Sequence, residues 1–92
     1  MKQIKERIVG WINKKGTFND KPYDNIYLVV ISEENGIPVS ADVKNYKFKK
    51  IDCEDVLGFS FDPDALDDLK GLIIDKPYFN KFGSLIGVDY AE

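Results

Sequence analysis

Histidine is absent from this chain of 92 residues. Its absence excludes Ser-His-Asp and Cys-His catalysis, imidazole acid–base chemistry and any histidine metal site. Cysteine occurs once, at Cys53, which rules out an intrachain disulfide and a thiolate metal cluster. With no histidine to activate it, Cys53 reads as a small core residue. No apolar run approaches the length of a membrane-spanning helix, so no membrane partner is expected. The stretch Met1-Lys2-Gln3-Ile4-Lys5-Glu6-Arg7 lacks the apolar segment of a signal peptide, and a cytoplasmic protein is expected. Glycine-rich phosphate loops are missing, and Asp62-Pro63-Asp64 has neither the glycine nor the closing glutamate of a calcium loop. The sequence therefore calls for no metal and no cofactor. It also offers no catalytic set beyond the carboxylates Asp62, Asp64, Asp67 and Asp68, which helix capping explains better, so a non-enzyme is expected.

What is present suits a single folded domain over residues 1–92, since 43% of the residues are hydrophobic and 32% are charged. The net charge of −3 argues, as a total, against a nucleic-acid ligand. The total hides a division, however. Residues 1–51 carry ten basic and six acidic side chains, a surplus of +4, whereas residues 52–92 carry three and ten, a deficit of −7. A basic face can therefore coexist with an acidic element concentrated between Asp52 and Asp68.

Ile26-Tyr27-Leu28-Val29-Val30-Ile31 is the clearest strand, apolar on both alternating faces and so expected to be covered on both. Glu34-Asn35-Gly36 is a hairpin signal, and the return strand extends to Lys49. Val39, Ala41 and Val43 share a face there, then Tyr46 and Phe48 carry the apolar set, a phase change that predicts a bulge near Lys44-Asn45. Asp62-Pro63 opens a helix with a capping side chain, Ala65, Leu66 and Leu69 form its stripe, and Gly71 closes it. Strands follow over Leu72–Phe79 and Ser84–Tyr90, the last with Ile86, Val88 and Tyr90 on one face. Toward the N-terminus, Ile4, Ile8 and Ile12 share a face in either a helix or a strand, and Trp11 and Val9 favour the strand, with Gly10 marking a bend. The resulting order, three strands, a helix and two strands, predicts a mainly β, small five-stranded OB-like barrel with one short helix between strands 3 and 4. An N-terminal helix would instead give an α+β layout, αββαββ.

Three segments interleave lysines with aromatics. Lys14, Lys15, Phe18, Lys21 and Tyr23 lie in what reads as a long flexible connection. Tyr46, Lys47, Phe48 and Lys49 follow one another on a strand, and Lys81 and Phe82 sit at a hairpin tip. In an OB-fold these positions fall on the ligand face, where bases stack on exposed rings and lysines neutralise phosphates. The segments Lys21-Pro22-Tyr23 and Phe82-Gly83-Ser84-Leu85 resemble stretches of the filamentous-phage single-stranded-DNA-binding (helix-destabilising) proteins. That resemblance implies a dimeric OB-like barrel, a DNA-binding wing at the first stretch and a closing hairpin at the second. It also implies sequence-independent binding of single-stranded DNA (or RNA) through Lys21, Tyr23 and Phe82, with Lys14 and Lys15 as additions. A homodimer is also expected from the unpaired strand edges of so small a barrel. The alternative from a different class is a small acidic inhibitor or adaptor, a nucleic-acid mimic of anti-restriction or anti-CRISPR type, that engages a host protein through Asp62–Asp68.

Overall fold

The computed structural model describes residues 4–34 and 36–91, with only the backbone of 39–42. The turn residue Asn35 and the expected facing of Val39 and Ala41 thus lie outside the described residues. Strand β1 (Ile4–Phe18), β2 (Lys21–Glu34) and β3 (Ile37–Lys49) form a long antiparallel meander. A 3-10 turn (Lys50–Asp52) leads into two short helices, α1 (Cys53–Leu57) and α2 (Pro63–Asp67), and the chain ends in the hairpin β4 (Ile73–Phe79) and β5 (Leu85–Tyr90). The protein is mostly β with a small helical insert.

The N-terminal segment is a strand, as its Trp, Val and Ile content favours. A register shift between Ile8 and Gly10 changes its phase. Ile8 and Trp11 consequently face the interior while Ile12 faces out, so the expected common face of Ile8 and Ile12 does not form. The segment expected as a flexible connection is also strand. β1 and β2 stay paired up to Phe18 and Lys21, and Asn19 and Asp20 make the two-residue turn with φ of 50° and 62°. β1 has 15 residues, which at about 3.3 Å each matches the 49 Å long axis of the molecule. Every residue from Lys14 to Tyr23 is exposed, so this end of the hairpin projects beyond the core as an arm.

The interior is built from one face of the meander and from the insert. Ile8, Ile26, Leu28, Val30 and Phe48 pack with Val56 and Leu57 of α1, Leu66 of α2, Leu69, Ile74 and Leu85. Each such side chain contributes roughly 1.5–3 kcal/mol by leaving water. Cys53 lies in this core, and burial pushes its thiol pKa up, so it stays protonated and inert. Asp62 caps α2 by accepting from the Asp64 amide, but the helix ends at Asp67, and the chain reaches Gly71 through turns. The helix α1 was not legible in the sequence.

The expected barrel is not closed. The sheet is open, in the order β3-β2-β1-β4-β5, with β3 and β5 as its two edges and no backbone hydrogen bond between them among the described residues. The antiparallel steps that separate them leave β3 and β5 running in the same sense, so closure would require a parallel ladder, the weaker pairing per residue. β3 instead gives way at Lys50 to the 3-10 turn and α1, whose buried side chains fill the space beneath. Beside this seam the ring of Tyr46 in β3 meets that of Phe79, the last residue of β4, edge to face at 5.1 Å. The closed barrel implied by the resemblance to phage single-stranded-DNA-binding proteins, and the αββαββ alternative, are both overturned. The bulge expected at Lys44-Asn45 is also absent, for those residues pair regularly with Val30 and Val29. The register shift falls instead opposite Ile31 and Glu33.

Candidate binding face

Period-two alternation in β1, β2 and β3 produces two chemically different faces. Beyond the register shift, the outward rows read Phe18–Lys21, Gly16–Tyr23, Lys14–Asn25–Lys49, Ile12–Tyr27–Lys47 and Gly10–Val29–Asn45. No acidic side chain occurs in these rows. Four lysines therefore share a surface with Ile12, Tyr27 and Val29, and Val43, in the next row along, lengthens the apolar strip. The strand Ile26–Ile31, expected to be covered on both faces, is buried at Ile26, Leu28 and Val30 and only half-buried at Tyr27, Val29 and Ile31.

Local contacts hold this face in place. Lys14 Nζ sits 5.1 Å from the centroid of the Tyr27 ring. Tyr23 lies across Gly16 so closely that a Cβ there would stand 2.8 Å from the Tyr23 hydroxyl. Toward the other end of β1, Arg7 Nε donates to Glu33 Oε1 at 2.8 Å, which neutralises the acid buried at that margin.

A groove of about 710 Å³ adjoins the face where β3 and β5 fail to pair. Tyr23, Lys47 and Lys49 form one wall. Phe82 and Ile86 of the β4–β5 hairpin face them, and Asp52 and Asp55 stand at the α1 end. The hairpin tip is fixed by Asn80, whose Oδ1 accepts from the Phe82 and Ser84 amides at 2.9 and 3.0 Å. Phe82 is 80% exposed, with Lys81 Nζ at 5.1 Å from its ring centroid.

The sequence-predicted residues divide accordingly. Lys14, Phe18, Lys21, Tyr23, Lys47 and Lys49 lie on the outward face, and Lys81 and Phe82 stand across the groove. Lys15 belongs to the opposite face, paired with Asp24. Phe48, 1% exposed, is core. Tyr46 is buried too, and its hydroxyl donates to Glu6 Oε2, the same oxygen that Lys44 Nζ approaches at 3.4 Å. Burial, the Glu6 hydrogen bond and the Glu6 charge together push the Tyr46 phenol well above its ordinary range. Sequence reasoning missed Ile12, Tyr27 and Asn25. Their signal was the alternation itself, once the Val9-Gly10 phase change is placed.

The expected mechanism of base stacking in an OB cleft is overturned with the barrel. The rings do not cluster on the outward face. Tyr46 and Phe48 are internal, Tyr23 rests on Gly16, and Phe18 and Phe82 stand on different hairpins. The ring pairs among the described residues are Trp11–Phe61 and Tyr46–Phe79, neither on that face. The role in single-stranded-DNA binding implied by the resemblance is corrected on the same ground.

Two acids of the insert serve the fold. Asp62 caps α2, Asp67 Oδ1 accepts from Trp11 Nε1 at 2.8 Å, and Lys70 lies 3.7 Å from the same carboxylate. Among the described residues no group of three His, Cys, Asp or Glu side chains could hold a metal ion, and no helix is long and apolar enough to cross a membrane. No family model, curated protein or solved structure matches the chain.

Proposed function

We propose that this protein is a non-catalytic binding module whose outward lysine face and adjoining groove take an acidic segment of a partner protein. The observation that supports it is the set of five acid-free rows in which Lys14, Lys21, Lys47 and Lys49 surround exposed aliphatic side chains. Ile12, Val29 and Val43 offer contact to apolar side chains, which a phosphate backbone does not supply. The net charge of −3 also repels a polyanion at long range, whereas a short acidic segment feels mainly the local lysines.

Fluorescence anisotropy of a labelled peptide alternating Glu and Val tests this reading. Binding should weaken as salt rises, and the triple variant Lys14→Glu, Lys47→Glu, Lys49→Glu should bind about tenfold or more weakly, since three exposed ion pairs at up to about 1 kcal/mol each are lost. Absence of binding at low salt would overturn the reading. So would unchanged binding by the folded triple variant, or an oligo-dT competitor that binds more tightly than the peptide.

A further inference from the structure

The groove between β3 and the β4–β5 hairpin carries both signs of charge. Lys47 and Lys49 belong to its β3 wall and to the outward rows, whereas Asp52 and Asp55 stand at its α1 end. Among the described residues the ion pairs are Arg7–Glu33, Lys44–Glu6, Lys50–Asp24 and Lys70–Asp67, so none of these four groups belongs to one. Asp52 also holds the position before α1 where an aspartate ordinarily caps, yet its side chain makes no capping hydrogen bond. Other acids of the insert are bonded within the chain. Asp62 accepts from the Asp64 amide, Asp67 from Trp11 and Glu54 from Ser60 Oγ at 3.3 Å. The apolar surface of the groove is equally uncovered, with Phe82 80% and Ile86 51% exposed.

We infer that the partner's acidic segment ends in an aromatic residue followed by Lys or Arg, with the ring seated among Tyr23, Phe82 and Ile86 and the cation meeting Asp52 and Asp55. This rests on the reading of the lysine face as a site for an acidic protein segment, and it names the sequence that the groove selects. Charge excludes the simpler occupants. An acidic segment that continued into the groove would set its carboxylates against Asp52 and Asp55. A second copy apposed through the outward face would set lysines against lysines, and like charges brought together are costly. A segment that changes sign at the groove meets an opposite charge at both ends. A volume of about 710 Å³ has room for a ring and the side chain after it. A ring there covers exposed apolar surface and can pair with Phe82 or Tyr23, and a cation beside those rings gains from their faces as well. Asp52 and Asp55 are three residues apart at the start of α1 and both line the groove, so one cation can lie between them. The order of charges also fixes the direction of the segment, since the opposite order opposes like charges at both ends.

The test uses the full chain and labelled peptides with blocked termini, followed by anisotropy at low salt. One peptide carries an alternating Glu-Val block and then Phe-Lys. A second has the same residues with the Lys moved to the far end of the block. The first should bind about fivefold or more tightly, the scale of one or two exposed ion pairs. Replacing its Phe by Ser should weaken it about tenfold. The double variant Asp52→Asn, Asp55→Asn should erase the preference between the two peptides, and Asp55→Lys should reverse it in favour of a peptide ending in Phe-Glu. If the two peptides bind the unaltered chain equally, if the preference survives in the double variant, or if the Phe is dispensable, the groove selects neither ring nor cation. The inference is then wrong while the lysine-face reading stands. If neither peptide nor the Glu-Val block alone binds, the lysine-face reading itself is wrong and the inference falls with it.

Discussion

The two faces of the β1–β2–β3 meander come from the same strands, yet they differ in nearly every respect. The inward face sets Ile8, Ile26, Leu28, Val30 and Phe48 against the helical insert, and solvent barely reaches it. The outward face interleaves Lys14, Lys21, Lys47 and Lys49 with half-buried or exposed Tyr27, Val29 and Ile12. In Tyr46-Lys47-Phe48-Lys49 the division falls between neighbours, the rings turning in and the lysines out. An aromatic beside a lysine in a strand therefore does not share that lysine's surface, and the composition of such a segment overstates its binding face by half.

The sharpest way to break the contrast is within that tetrapeptide. Phe48→Ala removes a fully buried ring and should destabilise the fold by roughly 3–5 kcal/mol in denaturant unfolding. Next in size is the support for the inward face. Asp62→Ala deletes the cap of the helix that carries Leu66 inward, and should cost about 1 kcal/mol. A third test uses pH. Burial is the first cause of the raised pKa values of Cys53, Tyr46 and Tyr90, whose ordinary values are 9.0, 10.0 and 10.0. The unfolded chain gives up these protons at lower pH than the folded one. The stability they contribute is full below about pH 9 and declines as pH rises through the folded values, so the thermal midpoint should fall progressively on the alkaline side. A midpoint flat across that window would contradict the burial of these groups. The smallest effect belongs to the outward face, where Lys47→Ala should leave stability within about 0.5 kcal/mol, measured in the same unfolding series as Phe48→Ala.

Much of this division was legible in the sequence, and the failures have identifiable causes. The β-branched run Ile26–Ile31 and the capped start at Asp62-Pro63 announce a strand and a helix through local chemistry alone. Gly10 announces a bend in β1. The direction of the phase change there depends on which residue loses its partner, and this is what moves Ile12 outward. α1 escaped because Cys53-Glu54-Asp55-Val56-Leu57 is a single turn too short to show a period, held by the burial of its apolar members. Closure of the sheet was the largest misreading. Element order is shared by an open sheet and a barrel, and the difference lies in whether β3 and β5, far apart in sequence, exchange backbone hydrogen bonds. The candidate lysines stand out by their spacing to aromatics, but the register with β2 is what gathers Lys14, Lys47 and Lys49 and sends Lys15 to the other side.

The most direct measurement is a titration of isotope-labelled protein with the alternating Glu-Val peptide at low salt, followed by amide and side-chain NMR shifts. The outward face should respond, with the largest changes at Lys14, Tyr27, Lys47 and Lys49 and at Phe82 across the groove, while Ile8, Leu28 and Leu66 stay fixed. Shifts confined to the acid-rich segment from Asp52 to Asp68, or no shifts at all, would contradict a binding role for the lysine face.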